Sequence, residues 1–152
     1  MKRNQLVAIA TKLRKELELL IDVCEPKTSL QILDGFLPDL CGACMYGSIM
    51  LFKELKKLGR KPLLVEGNGH WFTHCDGFLI DITASQFGMK DVEVFPTNRV
   101  SDKDEFWKPV KVTRTIRGMD PVFIEYARDI KLARKLIRKA VHRRNASTLR
   151  RT

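Results

Sequence analysis

The sequence predicts an α+β domain: helices first, then an antiparallel meander, then a closing helix. Three observations predict it. Up to Gly59, apolar residues recur at three- and four-residue spacing, the period of an amphipathic helix. From Pro62 the pattern becomes short strand-like runs around a central Asp76-Gly77, a strong two-residue hairpin signal. After Asp120-Pro121 the helical period returns. Strands and helices are segregated along the chain, so a parallel sheet of βαβ units is not expected.

The first helix is expected over residues 5–22, with Leu6, Ile9, Leu13, Leu17 and Leu20 on one face and Pro26 stopping it. "TSLQILDGF" reads as a short second helix, with Thr28 or Ser29 as N-cap and Gly35 as terminator. Residues 44–58 read as a third, with Ile49/Met50 or Leu51, Phe52, Leu55 and Leu58 on its buried side and Gly59 ending it. Strands follow at 62–66, 70–75 and 78–83. Residues 92–95 and 109–116 are strand-like in composition, and Asp102 to Glu105 is a polar turn. Trp107 has no assigned place. In the closing helix Asp120 is the N-cap and Pro121 begins the first turn. Phe123, Tyr126, Ile130, Ala133, Ile137 and Ala140/Val141 form its apolar stripe. Residues 1–144 are thus expected to form one domain, with 145–152 as a flexible basic tail.

Apolar residues make up 44% of the chain and charged ones 30%, a folded rather than a disordered composition. No apolar run approaches the ~18 residues of a membrane span. Lys12, Arg14 and Lys15 interrupt the first apolar stretch before a signal-peptide core is complete. A cytoplasmic location is expected, with Cys24, Cys41, Cys44 and Cys75 reduced. The net charge of +10 is uneven. From Arg128 onward there are ten Lys/Arg and one acidic residue, while the rest of the chain carries eighteen against seventeen. The body is nearly neutral and the C-terminal segment basic.

The hairpin carries the first chemical signal. A two-residue Asp76-Gly77 loop sets Cys75 opposite Phe78, His74 opposite Leu79 and Thr73 opposite Ile80. His70, Phe72, His74, Leu79 and Asp81 then share one face, and Trp71, Thr73, Cys75, Phe78, Ile80 and Ile82 the other, more apolar one. Asp81 is diagonal to both His70 and His74, within reach of an imidazole. A histidine held by a carboxylate is two-thirds of a nucleophilic triad. The bland reading is a half-exposed strand with polar residues on its wet face.

A triad also needs a nucleophile. In "LCGACMYGSIML" Cys44 begins a helix, where the dipole and unsatisfied N–H groups favour a thiolate. Its own backbone N–H could face a developing oxyanion. "CGAC" resembles the C-G-[SA]-C pattern around the nucleophile of papain-like proteases, with Met45 in place of the usual aromatic. Residues 41–88 more closely resemble the transglutaminase-like cysteine peptidase superfamily, a papain-like fold. Cys44, Ser48, Leu51, Leu55, Leu58 and Gly59 match its nucleophile helix, "HW" at His70-Trp71 its histidine strand, and Asp81-Ile82-Thr83 its D-x-T element. The resemblance implies acyl transfer without a cofactor or metal. Cys44 attacks an amide or ester carbonyl, His70 moves the proton, and Asp81 orients His70. His74 is the alternative histidine. His70 is preferred because it starts its strand beside a Gly-rich loop and precedes Trp71. Papain-like proteases carry an oxyanion-hole Gln six residues before the nucleophile. Pro38 stands there, so the second donor must lie elsewhere, with Gln31 and Gln86 as candidates. Trp71 and Gln86 are candidate substrate contacts, although Trp71, like Phe87, also suits packing.

Other chemistries compete for the same residues. Cys41, Cys44, His70 and His74 have the ligand types of a Cys₂His₂ zinc site, but the pairs lie further apart than zinc-site spacing asks. Cys41-x-x-Cys44 could be a redox pair, although no βαβ pattern surrounds it. Lys131, Lys135, Arg138, Lys139, Arg143 and Arg144 could contact nucleic acid or another polyanion. A solvated outer face explains such a charge run equally well. The favoured expectation is a cysteine hydrolase acting on a peptide or protein. The alternative is a non-catalytic polyanion-binding protein with structural Cys and His.

Overall fold

The structure is a computed structural model. It describes residues 1–23, 43–118 and 121–149, without the side chains of 101–102 and 140–149. The expected second helix, Cys24 and Cys41, and the Asp120 cap lie outside the described residues. So do Gln31 and Pro38.

Among the described residues the chain is α+β, with three α-helices and one five-stranded antiparallel sheet. Helix α1 spans Arg3–Val23 and α2 spans Cys44–Lys57. The strands are β1 (Leu63–Glu66), β2 (Trp71–Cys75), β3 (Phe78–Asp81), β4 (Glu93–Pro96) and β5 (Lys111–Thr113). Helix α3, Val122–Leu149, closes the chain and continues beyond Arg144 into the stretch expected as tail. The sheet order is β4-β3-β2-β1-β5: β1 to β4 form a meander, and the fifth strand, β5, returns beside β1. No described helix is long and apolar enough to cross a membrane.

The hairpin register is the one that counting gives, Cys75 to Phe78, His74 to Leu79 and Thr73 to Ile80. Asp76 and Gly77 both have left-handed backbones, φ +52° and +81°, as a type I′ loop requires. Asp is among the few residues that tolerate this, and its carboxylate is held by Arg60 Nη2 at 2.6 Å.

Both faces of the sheet are covered. Leu64, Cys75, Ile80 and Val94 pack beneath α1, α2 and α3 with Leu13, Leu17, Ile49, Leu55, Phe123 and Ile130. Helix α2 is buried almost all round because it lies between the sheet and the other helices. Leu58 departs from expectation: it falls just past the helix end and is 49% exposed. On the opposite face Val65, Phe72, Leu79 and Phe95 pack against Ala84, Val100 and Trp107. That second cover is made of 3₁₀ turns at Ala84–Phe87, Thr97–Asp102 and Glu105–Trp107. The bland reading, a half-exposed strand with a wet face, is therefore not what the fold shows. His70 and Asp81 are 0% and 1% exposed, because the segment leading to Trp107 folds back over them.

Candidate active site

Three elements converge under this second layer. Cys44 is the first residue of α2, and among the described residues no side chain caps that end of the helix. Gly47 lets the first turn lie close on the end of β3. A Cβ there would sit 3.0 Å from Ile82 Cγ1 and 3.1 Å from Thr83 Cγ2. The Thr73 hydroxyl donates to the Ser48 carbonyl at 3.2 Å and ties β2 to the same helix. His70 enters from the turn before β2, where the Gly67 N–H donates to the His70 carbonyl at 2.7 Å. Asp81 is the last residue of β3.

Asp81 is saturated with donors. Its Oδ2 accepts from His70 Nε2 at 2.6 Å and from the Trp107 indole N–H at 2.9 Å. Its Oδ1 accepts from the Thr83 backbone N–H at 2.8 Å and the Thr83 hydroxyl at 3.0 Å. Four donors suit an ionised, acceptor-only carboxylate. Burial opposes that charge, but the bonds from His70, Trp107 and Thr83 outweigh it and hold Asp81 below the ordinary carboxylate range.

Cys44 lies near enough to the same imidazole to act on its charge state. Asp81 engages Nε2, which leaves Nδ1 as the ring nitrogen open to the thiol. Burial alone would lower the pKa of His70. The bonds and charges of Asp81 and Cys44 override it and raise His70 to about 9. Aromatic rings enclose the imidazole: Phe87 and Phe106 meet it edge-on at 4.8 and 5.6 Å between centroids, and stack on each other at 3.9 Å. The Gln86 amide nitrogen lies 3.4 Å from Nδ1 and donates to the Thr83 carbonyl at 3.0 Å.

The choice between the histidines is resolved geometrically: Asp81 holds His70. His74 lies between Leu63 and Leu79 in the ladder, its ring 5.4 Å from that of Phe72. Its Nε2 is buried with no hydrogen-bond partner among the described residues. Burial depresses its pKa to about 4, so it is neutral in the folded state. The unfolded chain takes up this proton near the ordinary histidine value of ~6.5, and the folded chain only near 4. Stability is therefore lost as pH falls through that window, by on the order of 3 kcal/mol. Urea unfolding of wild type and His74→Leu at neutral pH and at about pH 4 measures it. Wild type should lose that much more than the variant, and equal losses would mean that His74 accepts its proton while folded.

Trp71 is also corrected. It lies on the face away from His70 and packs edge-on against Phe123 at 4.6 Å, so it is a core residue rather than a neighbour of the pair. Gln86 does adjoin it. Lys131, Lys135, Arg138 and Lys139 are exposed along α3, while the side chains of Arg143 and Arg144 lie outside the described residues. Their neighbour Arg134 is committed to Glu16, at 2.6 and 3.0 Å. Burial and the positive charges of Arg134, Lys57 and Lys131 lower the pKa of Lys53 between them. Among the described residues no group of three or more His, Cys, Asp or Glu converges as metal ligands, and Cys44 and Cys75 are free thiols.

Two residues escaped the sequence reading. Trp107 stands in an aperiodic stretch, and only a tryptophan among polar residues hinted at its role. Arg14 looks like a surface charge paired with Glu18 one turn on, yet it is 4% exposed. Its Nη1 donates to the Ile82 carbonyl at 3.0 Å, the Ser85 hydroxyl at 2.9 Å and the Asp91 carbonyl at 3.3 Å, fixing the segment that follows Asp81. Comparison with family models, curated proteins and solved structures finds no match to this chain.

Proposed function

We propose that the chain is a cysteine-dependent acyl-transfer enzyme with a papain-like, transglutaminase-like core, cleaving an amide or isopeptide bond in a peptide or protein. One observation carries the reading. A thiol at a helix start, Cys44, lies beside a buried imidazole, His70, which a buried carboxylate, Asp81, holds at 2.6 Å, so the three stand in series. A structural Cys or His does not require such a series.

The chemistry follows from proton positions. His70 takes the thiol proton at Nδ1, and its raised pKa favours the imidazolium at neutral pH. The Cys44 thiolate attacks the carbonyl carbon. The imidazolium then gives its proton to the leaving amine, and a thioester remains. Water, deprotonated by His70, releases the acid and regenerates the thiol. Asp81 stays ionised throughout, holding the tautomer and stabilising the imidazolium.

Alkylation of Cys44 by iodoacetamide, followed by peptide mapping, tests the first step. At about pH 6 Cys44 should react at least ~10-fold faster than glutathione, and His70→Ala should remove the advantage. Cys75 is an internal contrast, since burial and the adjacent Asp76 push its thiol up to about 11. If Cys44 reacts no faster than glutathione, the thiol is not activated and the proposal fails.

A further inference from the structure

Acyl transfer at Cys44 would create a negative oxygen, and a buried site must stabilise it. One donor is available by position, the backbone N–H of Cys44 in the first turn of α2, which no side chain caps among the described residues. A single donor is rarely sufficient, and the position where papain-like proteases supply the second is Pro38. We propose that the second oxyanion donor is the side-chain amide of Gln86, on the turn that follows Asp81. This rests on the thiol reading above and adds a catalytic residue to it.

The orientation of the amide is fixed chemically. The Thr83 carbonyl can only accept, so the atom 3.0 Å from it is the NH₂ nitrogen. That nitrogen also lies 3.4 Å from His70 Nδ1. The first turn of α2, which begins at Cys44, packs on Thr83, the residue whose carbonyl holds the amide, so the helix start and the Gln86 amide meet at one place beside His70. When Nδ1 carries the proton, it donates to the thiolate, and the Gln86 nitrogen faces another donor rather than an acceptor. One amide N–H remains on Thr83, and the other is left directed at the reacting centre.

The amide is also held in place before any substrate arrives. Gln86 lies on the 3₁₀ turn Ala84–Phe87, closed by Gly88 with a left-handed φ of +73°. Buried Arg14 grips that turn from beneath, through the Ile82 carbonyl and the Ser85 hydroxyl. Its neighbour Phe87 packs against His70. A donor that need not reorganise during reaction is worth far more than a mobile one. In the step itself the thiolate forms the C–S bond and the carbonyl π pair moves to oxygen. Gln86 and the Cys44 N–H hold that oxygen until the pair returns and the leaving group departs.

Two reagents separate this role from a structural one. Acylation by p-nitrophenyl acetate passes through an oxyanion, whereas alkylation by iodoacetamide displaces iodide without one. Gln86→Ala and the isosteric Gln86→Glu should slow acylation of Cys44 about 10²–10³-fold and change alkylation by less than about 3-fold. Equal losses in both reactions would make Gln86 a prop for His70 and overturn the assignment. Unchanged acylation, in a wild type that reacts fast with both reagents, overturns it alone. A wild-type thiol that neither alkylates nor acylates faster than glutathione overturns the thiol reading and the assignment together.

Discussion

Asp81→Ala should destabilise the fold by about 3–5 kcal/mol, the cost of removing one partner of a buried charge pair. The loss comes from what remains. The variant leaves the His70 ring, the Trp107 indole N–H and both Thr83 donors without the atom that satisfies them, and each orphaned donor costs about 1–3 kcal/mol. Asp81→Asn keeps the shape and one acceptor oxygen but places an NH₂ against one set of donors. It should retain more stability and still lower acyl transfer by roughly 10⁴, because the imidazole loses both its tautomer and its counter-charge. The pH profile has two flanks. Asp81, held low, contributes stability that is present above the ordinary carboxylate range and lost as pH falls through its folded value. His70, raised to about 9, contributes stability that is complete below ~6.5 and lost as pH rises through 9. Urea midpoints across pH should show wild type losing stability on the alkaline side while Asp81→Asn stays flat there. A flat wild-type profile would mean that the pair is not ionic.

The parts that were legible in the sequence are those governed by a period. Alternation and Asp76-Gly77 set the hairpin register residue by residue, and three- and four-residue spacing located α1, α2 and α3. Cys44 was legible because a helix start is visible in sequence and thiols there have a chemical reason to matter. The burial of His70 and Asp81 was not legible. It depends on Phe106 and Trp107, which sit on short 3₁₀ turns with no repeat to read. Arg14 was hidden for another reason: its spacing to Glu18 mimics an exposed i,i+4 pair, while its decisive partners are far along the chain. The two histidines were equivalent by register because Asp81 is diagonal to both. In a flat ladder the diagonals match, and in a twisted sheet one is shorter.

Gly67→Ala should cost about 3 kcal/mol or more and lower the reactivity of Cys44, although neither residue of the pair is touched. A Cβ at Gly67 would lie 1.8 Å from the Phe106 carbonyl oxygen and 2.8 Å from its carbon. These are backbone atoms, so no rotamer relieves the clash, and the Glu105–Trp107 turn must move. It would carry with it the ring of Phe106 beside His70 and the indole on Asp81. Gly69, two residues on, is the control, because its demand is of another kind. It has φ +69° with nothing near a substituted Cβ, so Gly69→Ala should cost only the ~1–2 kcal/mol of a left-handed alanine. The site should keep its geometry. Urea midpoints, tryptophan fluorescence and iodoacetamide rates of the two variants separate conformation from space. If both lose the same stability with unchanged fluorescence, the turn is not packed on Gly67. If only Gly67→Ala shifts the tryptophan signal and slows Cys44, the second layer holds the acid–base pair in its working geometry.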